Sequence, residues 1–150
     1  MRAIAGVALL LVGCGPELTT TPLEVGDLGF FTARVEPHLE ARCGSAGCHG
    51  RPDRPFAVYA PGQHRRDAGR TWLDEPLDRD EVEENALRVS AFGIGRDPFE
   101  TLIVQKPLSP EEGGLWHGGG DVFAGRNDEG CRALTAWLLG RTLPVDGGAP

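Results

Sequence analysis

Glycine and proline occur so often in this sequence that its secondary-structure elements are expected to be short. The chain has 22 Gly and 12 Pro among 150 residues. Hydrophobic residues nevertheless make up 40% of it, so we do not expect wholesale disorder. A chain of this length has room for one domain with a core of its own. We therefore predict one small domain in which long loops connect short elements.

The hydrophobic pattern favours an all-α fold of three to four short helices. Helices are predicted over about 28–39, from 79 to 92, over 102–104 and from a cap at Asn127 or Asp128 to Gly140. Pro37 is expected to kink or break the first helix. Asp78 and Glu81 are placed to form a capping box at the start of the second. No run alternates for long with the period of a strand, which is the reason for the all-α prediction.

The N-terminal residues indicate export. Met1 and Arg2 precede an apolar stretch, 3–12, which is shorter than the roughly 20 residues that a membrane-spanning helix needs. The stretch ends in Leu-Val-Gly-Cys14, which resembles the lipobox of bacterial lipoproteins. That resemblance implies cleavage before Cys14 and attachment of lipid to it. Because Gly15 follows, it also implies a periplasm-facing position on the outer membrane.

These patterns divide the chain into four parts. Residues 1–13 are predicted to be a signal peptide, 14–26 a flexible tether, 27–143 the folded domain and 144–150 a disordered tail. Besides the anchor, three cysteines remain in the mature chain: Cys43, Cys48 and Cys131. A close pair of free thiols would not persist in the oxidising cell envelope. Something is therefore expected to occupy Cys43 and Cys48.

The segment from Arg42 to Gly50 (RCGSAGCHG) carries the chemistry of the chain. A Cys followed directly by His, with a second Cys shortly upstream, resembles the c-type haem attachment motif. In that motif two thiols add to the two vinyl groups of haem, and the adjacent His is held over the iron as its proximal ligand. The resemblance implies one covalent haem c on Cys43 and Cys48, with His49 bound to the iron.

The spacing departs from the usual motif, which has two residues between the cysteines where this chain has four. Five residue steps in a helix would separate the two Cα atoms by about 7.5 Å. A loop must therefore fold the extra residues out. Gly44 and Gly47 are expected to supply the backbone conformations that such a bulge requires.

The chain from about Phe30 to Gly140 is similar to the cytochrome c-like domains of bacterial envelope lipoproteins. The similar stretches are FF at 30–31, VEP at 35–37, RC at 42–43 and CHG at 48–50. They continue with KPL at 106–108, HGGG at 117–120 and Leu134 followed by WL at 137–138. The resemblance implies a cytochrome c-like fold in which the last helix, with Trp137, packs across the Cys-His segment. It also implies electron transfer to or from a redox partner protein of the envelope, without catalytic activity.

Methionine cannot be the distal haem ligand, because Met1 is the only methionine and leaves with the signal peptide. The remaining candidates are His117, His64, His38 and Lys106, or an open position. His117 follows an apolar approach and precedes three glycines, where distal ligands are commonly presented, so we expect it to bind the iron. His64 lies in the basic loop 63–66 and is expected to be solvated, and His38 is expected to be a surface or packing residue.

Two alternatives use the same residues. A Cys43–Cys48 disulfide would staple the glycine-rich loop of a haemless cytochrome-fold module with an interaction or structural role, in which His49 is an ordinary polar residue. A zinc site would combine Cys43 and Cys48 with Cys131 or His117. If haem or a disulfide occupies the close pair, Cys131 has no partner, and its position on a helix favours burial.

Other function classes are not favoured. The net charge is -7 and Lys106 is the only lysine, so no nucleic acid is expected as a partner. His117-Gly-Gly-Gly is similar to the oxyanion-hole loop of esterases, but no serine lies in the Gly-x-Ser-x-Gly sequence that those enzymes need. The carboxylates between 74 and 84 are interpreted as a solvated helix face rather than as catalytic groups.

Overall fold

The computed structural model of the chain describes residues 23–142. The signal peptide 1–13, the expected lipid attachment residue Cys14, most of the tether 14–26 and the tail 144–150 lie outside the described residues. Within 23–142 the structure is helical and contains no strand, which confirms the all-α prediction. None of the helices in this range is long and apolar enough to cross a membrane.

Four helices form the framework of the described part. Helix α1 is continuous over Leu28–Phe30, Phe31–Val35 and Glu36–Arg42; α2 is Arg79–Ala91, α3 is Leu102–Gln105 and α4 is Glu129–Leu138. Short 3₁₀ turns occupy Ala68–Arg70, Pro98–Glu100 and Pro110–Glu112. The predicted capping box forms at α2, where Asp78 and Glu81 each accept a hydrogen bond from the other's backbone N–H. Asp128, not Asn127, caps α4.

Pro37 does not break the first helix. The preceding residues, Phe31–Val35, form a π turn, in which the N–H of Glu36 donates to the carbonyl of Phe31, five residues earlier. Proline lacks an N–H and its ring crowds the carbonyl four residues before it, so a regular α-helix would be strained there. The wider π turn takes the place of the expected break. As a result, α1 continues to Arg42 and delivers the chain to Cys43.

The core lies mainly between α1 and α4. The rings of Phe31 and Trp137 are 4.8 Å apart, and the indole N–H of Trp137 donates to the carbonyl of Asp27 at 3.1 Å. The core cluster that includes these two rings also contains Val35, Leu39, Val89, Val104, Leu108, Leu134 and Leu138. The side chain of Trp137 therefore joins the first and last helices, and Leu134 is the residue of α4 that lies beside the Cys-His segment.

A buried segment without regular structure, 56–60, runs beside α2. All five of its residues are buried. The side chain of Asn85 satisfies its backbone, accepting from the N–H of Tyr59 at 2.9 Å and donating to the carbonyl of Tyr59 at 2.9 Å. The N–H of Val58 donates to the carbonyl of His49 at 2.8 Å. The segment therefore joins the Cys-His loop to α2.

A buried ion pair joins the loop 63–66 to the acidic run at the start of α2. Arg65, in the loop 63–66, donates to Glu81 at 2.6 Å, and both side chains are fully buried. Arg65 also donates to the carbonyls of Glu75 and Pro76. Burial alone would raise the pKa of Glu81, but hydrogen bonds from Arg65 and from two backbone N–H groups lower it to about 2. Neither this loop nor the acidic run before and within α2 is simply a solvated surface.

Glu36 is a second buried carboxyl, but it has no cation. One oxygen accepts from the amide of Asn85 at 2.7 Å, and the other has no hydrogen-bond partner among the described residues. Burial raises the pKa of Glu36 to about 8; the Asn85 hydrogen bond opposes this shift and the charge of Glu40 adds to it. The side chain is therefore mainly protonated at neutral pH.

Glu36→Gln should make the folded protein more stable at high pH relative to wild type. The folded pKa of about 8 lies above the ordinary value of 4.5, so the unfolded chain releases this proton first and wild-type stability falls as the pH rises from 4.5 to 8. Glutamine keeps the shape and does not titrate. We expect the stability difference between variant and wild type to grow by at least about 1 kcal/mol between pH 4 and pH 8, measured by urea unfolding.

Glu111→Gln is the matched control, because Glu111 is exposed on a short turn. Its difference from wild type should stay nearly constant over the same pH range. If the free energy of unfolding changed with pH in the same way for wild type and Glu36→Gln, Glu36 would be ionised in the folded protein at neutral pH.

Candidate functional site

An apolar cleft of about 300 Å³ opens between the end of α1, α3 and the loop that follows it. Its apolar walls include Leu39, Phe56, Phe92, Ile103, Phe123 and Leu134. The polar groups that reach it include both close cysteines, Cys43 and Cys48, and two histidines, His49 and His117. Its charged lining residues are Arg42 and Lys106, and no described carboxylate lines it. A concave apolar site with a few convergent polar groups is typical of cofactor binding.

The loop between the cysteines turns back on itself at the end of α1. Cys43 closes the helix, with its N–H donating to the carbonyl of Leu39 at 2.9 Å. Cys48 donates to the carbonyl of Ser45 at 2.9 Å, and the N–H of His49 donates to the carbonyl of Cys43 at 3.0 Å. The four extra residues are folded out, so His49 lies beside Cys43 although it follows by six positions.

The glycines of this loop provide space rather than unusual backbone angles. A Cβ at Gly44 would lie 2.5 Å from the side chain of Ala60, and a Cβ at Gly50 would lie 1.9 Å from the carbonyl oxygen of Gly44. Gly44 and Gly47 do not have positive φ, so the expectation of special conformations at these positions is wrong. Gly47 faces open space.

His49 is held as a neutral imidazole. Its Nδ1 is 2.7 Å from the carbonyl oxygen of Phe56, and since a carbonyl can only accept, Nδ1 carries the proton. Burial lowers the pKa of His49, the Phe56 carbonyl opposes this, and the neighbouring His117 and Arg54 lower it further. At neutral pH Nε2 therefore keeps a free lone pair, the form in which histidine binds metals.

His117 faces His49 across the cleft. The two ring centroids are 5.9 Å apart and the ring planes differ by 11°. The Nδ1 of His117 is 3.2 Å from the carbonyl oxygen of Gly120, so this ring also has Nδ1 on a backbone carbonyl and Nε2 free. The structure thus brings together the two histidines that the sequence analysis named as axial ligands, each with its Nδ1 beside a backbone carbonyl.

The distance between the rings suits one metal ion between them. A metal lies about 2.0–2.1 Å from an imidazole nitrogen, the length known for zinc. A ring nitrogen lies about 1.1 Å from the centroid of a five-membered ring with bonds of about 1.33 Å. Two imidazoles that present Nε2 to opposite sides of one metal have centroids about 6.3 Å apart. The observed centroid separation is 5.9 Å, with the two rings stacked.

The other candidate distal ligands lie elsewhere or are engaged. The ring of His64 packs against Tyr59 at 4.9 Å, and His64 does not line the cleft. His38 lies against Gly130 at the start of α4, in a separate groove between α1 and α4. Lys106 lines the cleft, but its ammonium donates to the carbonyl of Trp116 at 3.1 Å.

The cysteines are free thiols in this structure, so the Cys43–Cys48 disulfide is not formed. Burial raises the pKa of Cys43 to about 11; the neighbouring Cys48 adds to this and Arg42 opposes it. A protonated thiol is a poor metal ligand. Cys131 is fully buried in the core, as expected, and does not line the cleft.

The zinc alternative lacks donors. The described residues contain no group of three or more His, Cys, Asp or Glu side chains that could hold a metal ion. Structural zinc needs four protein ligands. The iron of a porphyrin needs at most two from the protein, because the ring supplies the rest. The described residues therefore do not support the zinc alternative.

Sequence reasoning missed a salt bridge that positions the start of the site. Arg42 donates to both carboxylate oxygens of Asp128, at 2.8 and 2.9 Å. Asp128 also caps α4, so this contact joins the end of α1 to the beginning of α4 next to Cys43. Its partners are 86 residues apart, and neither residue has a local sequence signal for the pairing.

Gly50→Ala should destabilise the Cys-His loop. The added methyl would lie 1.9 Å from the carbonyl oxygen of Gly44. Relieving this clash requires a backbone shift that disrupts the turn of the Cys-His loop. We expect a loss of about 1–3 kcal/mol in the free energy of unfolding, measured with urea. Gly47→Ala is the control, expected within about 0.5 kcal/mol of wild type. Equal stabilities for the two variants would contradict the tight approach at Gly50.

Comparison with known proteins gave no match. No protein-family model, curated protein or solved structure matches this chain. The functional interpretation therefore rests on the geometry of the cleft and on the motif resemblance.

Proposed function

We propose that this chain is a cytochrome c-like electron-transfer protein of the bacterial cell envelope that carries one haem c in the cleft. Cys43 and Cys48 would form the two thioether bonds, with His49 as the proximal and His117 as the distal ligand of the iron. The observation that carries the proposal is the pair of nearly parallel histidine rings, 5.9 Å apart, in an apolar cleft lined by both cysteines.

The groups of the chain fit this cofactor in three ways. Both histidines have Nδ1 on a backbone carbonyl, so the nitrogen available to a metal is Nε2 in each ring. Cys43 keeps its proton, and addition of its S–H across a vinyl group would place the sulfur on one vinyl carbon and this proton on the other. The apolar walls of the cleft, with no carboxylate among the described lining residues, suit the apolar faces of a porphyrin ring.

When bound, haem c supplies reversible one-electron transfer at its iron. The chain's contribution is to hold and surround the group. The apolar walls lie beside the two half-buried histidines, and the backbone carbonyls of Phe56 and Gly120 fix the ring orientations. An apolar surrounding disfavours the additional positive charge of the oxidised iron and so favours the reduced state.

The cellular setting is also part of the proposal. An exported chain with two unbridged thiols in one cleft requires an occupant for them. We propose a lipid anchor on Cys14, a periplasm-facing position on the outer membrane, and electron exchange with another protein of the cell envelope. The cytochrome c-like fold is proposed on the packing of α1 against α4 beside a Cys-His loop.

Covalent haem is the first test. The protein purified from its own host should keep haem after denaturation and extraction with acidified acetone. We expect a mass increment of one haem and a haemochrome band in the reduced, denatured protein. Cys43→Ser and Cys48→Ser should each retain a single thioether, which shifts the haemochrome band. A polypeptide mass that lacks two hydrogens would instead indicate the haemless, disulfide-linked alternative.

His117→Ala tests the distal ligand. Loss of one axial nitrogen should convert low-spin iron to high-spin and allow carbon monoxide to bind to the reduced protein. Absorption and electron paramagnetic resonance spectra measure the spin state. His64→Ala is the matched control, because this histidine lies outside the cleft, and it should leave the spectra unchanged. A low-spin spectrum that survives in His117→Ala would assign the distal position to another residue.

A further inference from the structure

His117 is carried by a segment that has little side-chain support of its own. We call residues 115–120 the distal strap. It is entered through two glycines: Gly113 has a φ of 91°, and a Cβ at Gly114 would lie 1.8 Å from the carbonyl oxygen of Leu108. After His117 come three glycines, the last with a φ of 78°. The strap therefore follows two glycines and ends in three, and none of these five residues has a side chain that could anchor it.

Hydrogen bonds with two residues at the end of α3, Gln105 and Lys106, connect the strap to the rest of the described structure. The N–H of Leu115 donates to the carbonyl of Gln105 at 2.8 Å. The ammonium of Lys106 donates to the carbonyl of Trp116 at 3.1 Å. The Trp116 side chain is 80% exposed, so it does not anchor the strap by burial. The hydrogen bonds between His117 and Gly120 lie within the strap.

The ammonium of Lys106 has no competing carboxylate. No ion pair involves Lys106 among the described residues, and no carboxylate lines the described cleft. Arg42, the other charged lining residue, is paired with Asp128. The carbonyl of Trp116, directly before His117, is thus the hydrogen-bond partner of the chain's only lysine. A hydrogen bond from a charged donor is stronger than one between neutral groups.

We propose that Lys106 is a positioning residue that holds the distal strap so that His117 faces His49. It thereby sets whether the distal side of the cleft is closed by His117 or open to small ligands such as carbon monoxide. The second part rests on the proposed function, because it requires haem iron between the two histidines. The first part is a property of the chain itself.

The experiment compares Lys106→Met with Lys106→Arg in the full chain prepared without haem. Methionine keeps an unbranched stem and removes the donor, whereas arginine keeps a donor. The readout is amide hydrogen exchange at Leu115 and Gly120, the strap N–H groups that are hydrogen-bonded. We expect exchange at least about tenfold faster in Lys106→Met and near the wild-type rate in Lys106→Arg. Exchange at Val104 in the core should not change.

The same variants with haem test the second part. Lys106→Met should show a larger high-spin fraction and about tenfold faster binding of carbon monoxide than wild type, and Lys106→Arg should restore the wild-type behaviour. Two results would overturn the role of Lys106. One is a strap hydrogen-exchange rate in Lys106→Met equal to that of wild type. The other is a strap exchange rate in Lys106→Arg as fast as in Lys106→Met. Absence of haem from the wild-type protein would refute the proposed function, while the exchange data would still decide the role of Lys106.

Discussion

The site depends on one backbone hydrogen bond, from the N–H of His49 to the carbonyl of Cys43. It brings the histidine back to the end of α1 after four intervening residues between the cysteines. The carbonyl of Phe56 then fixes the ring, and the segment 56–60 is itself held by Asn85 of α2. Through this series of contacts, the orientation of one imidazole is coupled to the packing of a helix elsewhere in the domain.

Buried polar contacts define much of a fold that has few long elements. The Arg65–Glu81 pair is fully enclosed, and Arg65 also satisfies two carbonyls of the loop that leads to α2. Loss of one member of such a pair typically costs about 3–5 kcal/mol, because the other charge is left buried alone. The long loops are therefore fixed in place by directional contacts that a purely apolar core would not supply.

The parts of the structure that were predictable from sequence are those with local causes. The caps Asp78, Glu81 and Asp128 act on backbone groups within a few residues, so their patterns locate α2 and α4. The segment 56–60 has five consecutive apolar or aromatic residues and thus no period to reveal it. The Arg65–Glu81 pair, and the close approach of His117 to His49, join distant positions. Only the chemical types of those residues could be read from the sequence, not their distances.

The π turn in α1 sets the rotational phase of everything that follows it on that helix. Each residue of an α-helix turns the chain by about 100°, and the π turn takes up one residue more than an α turn does. Cys43 therefore lies about 100° around the helix axis from where an unbroken α-helix of the same sequence would place it relative to Phe31. In that unbroken helix Pro37 would lie in a regular turn that its ring does not tolerate. The π turn thus both relieves the crowding at Pro37 and sets the side of the helix from which the chain leaves at Cys43.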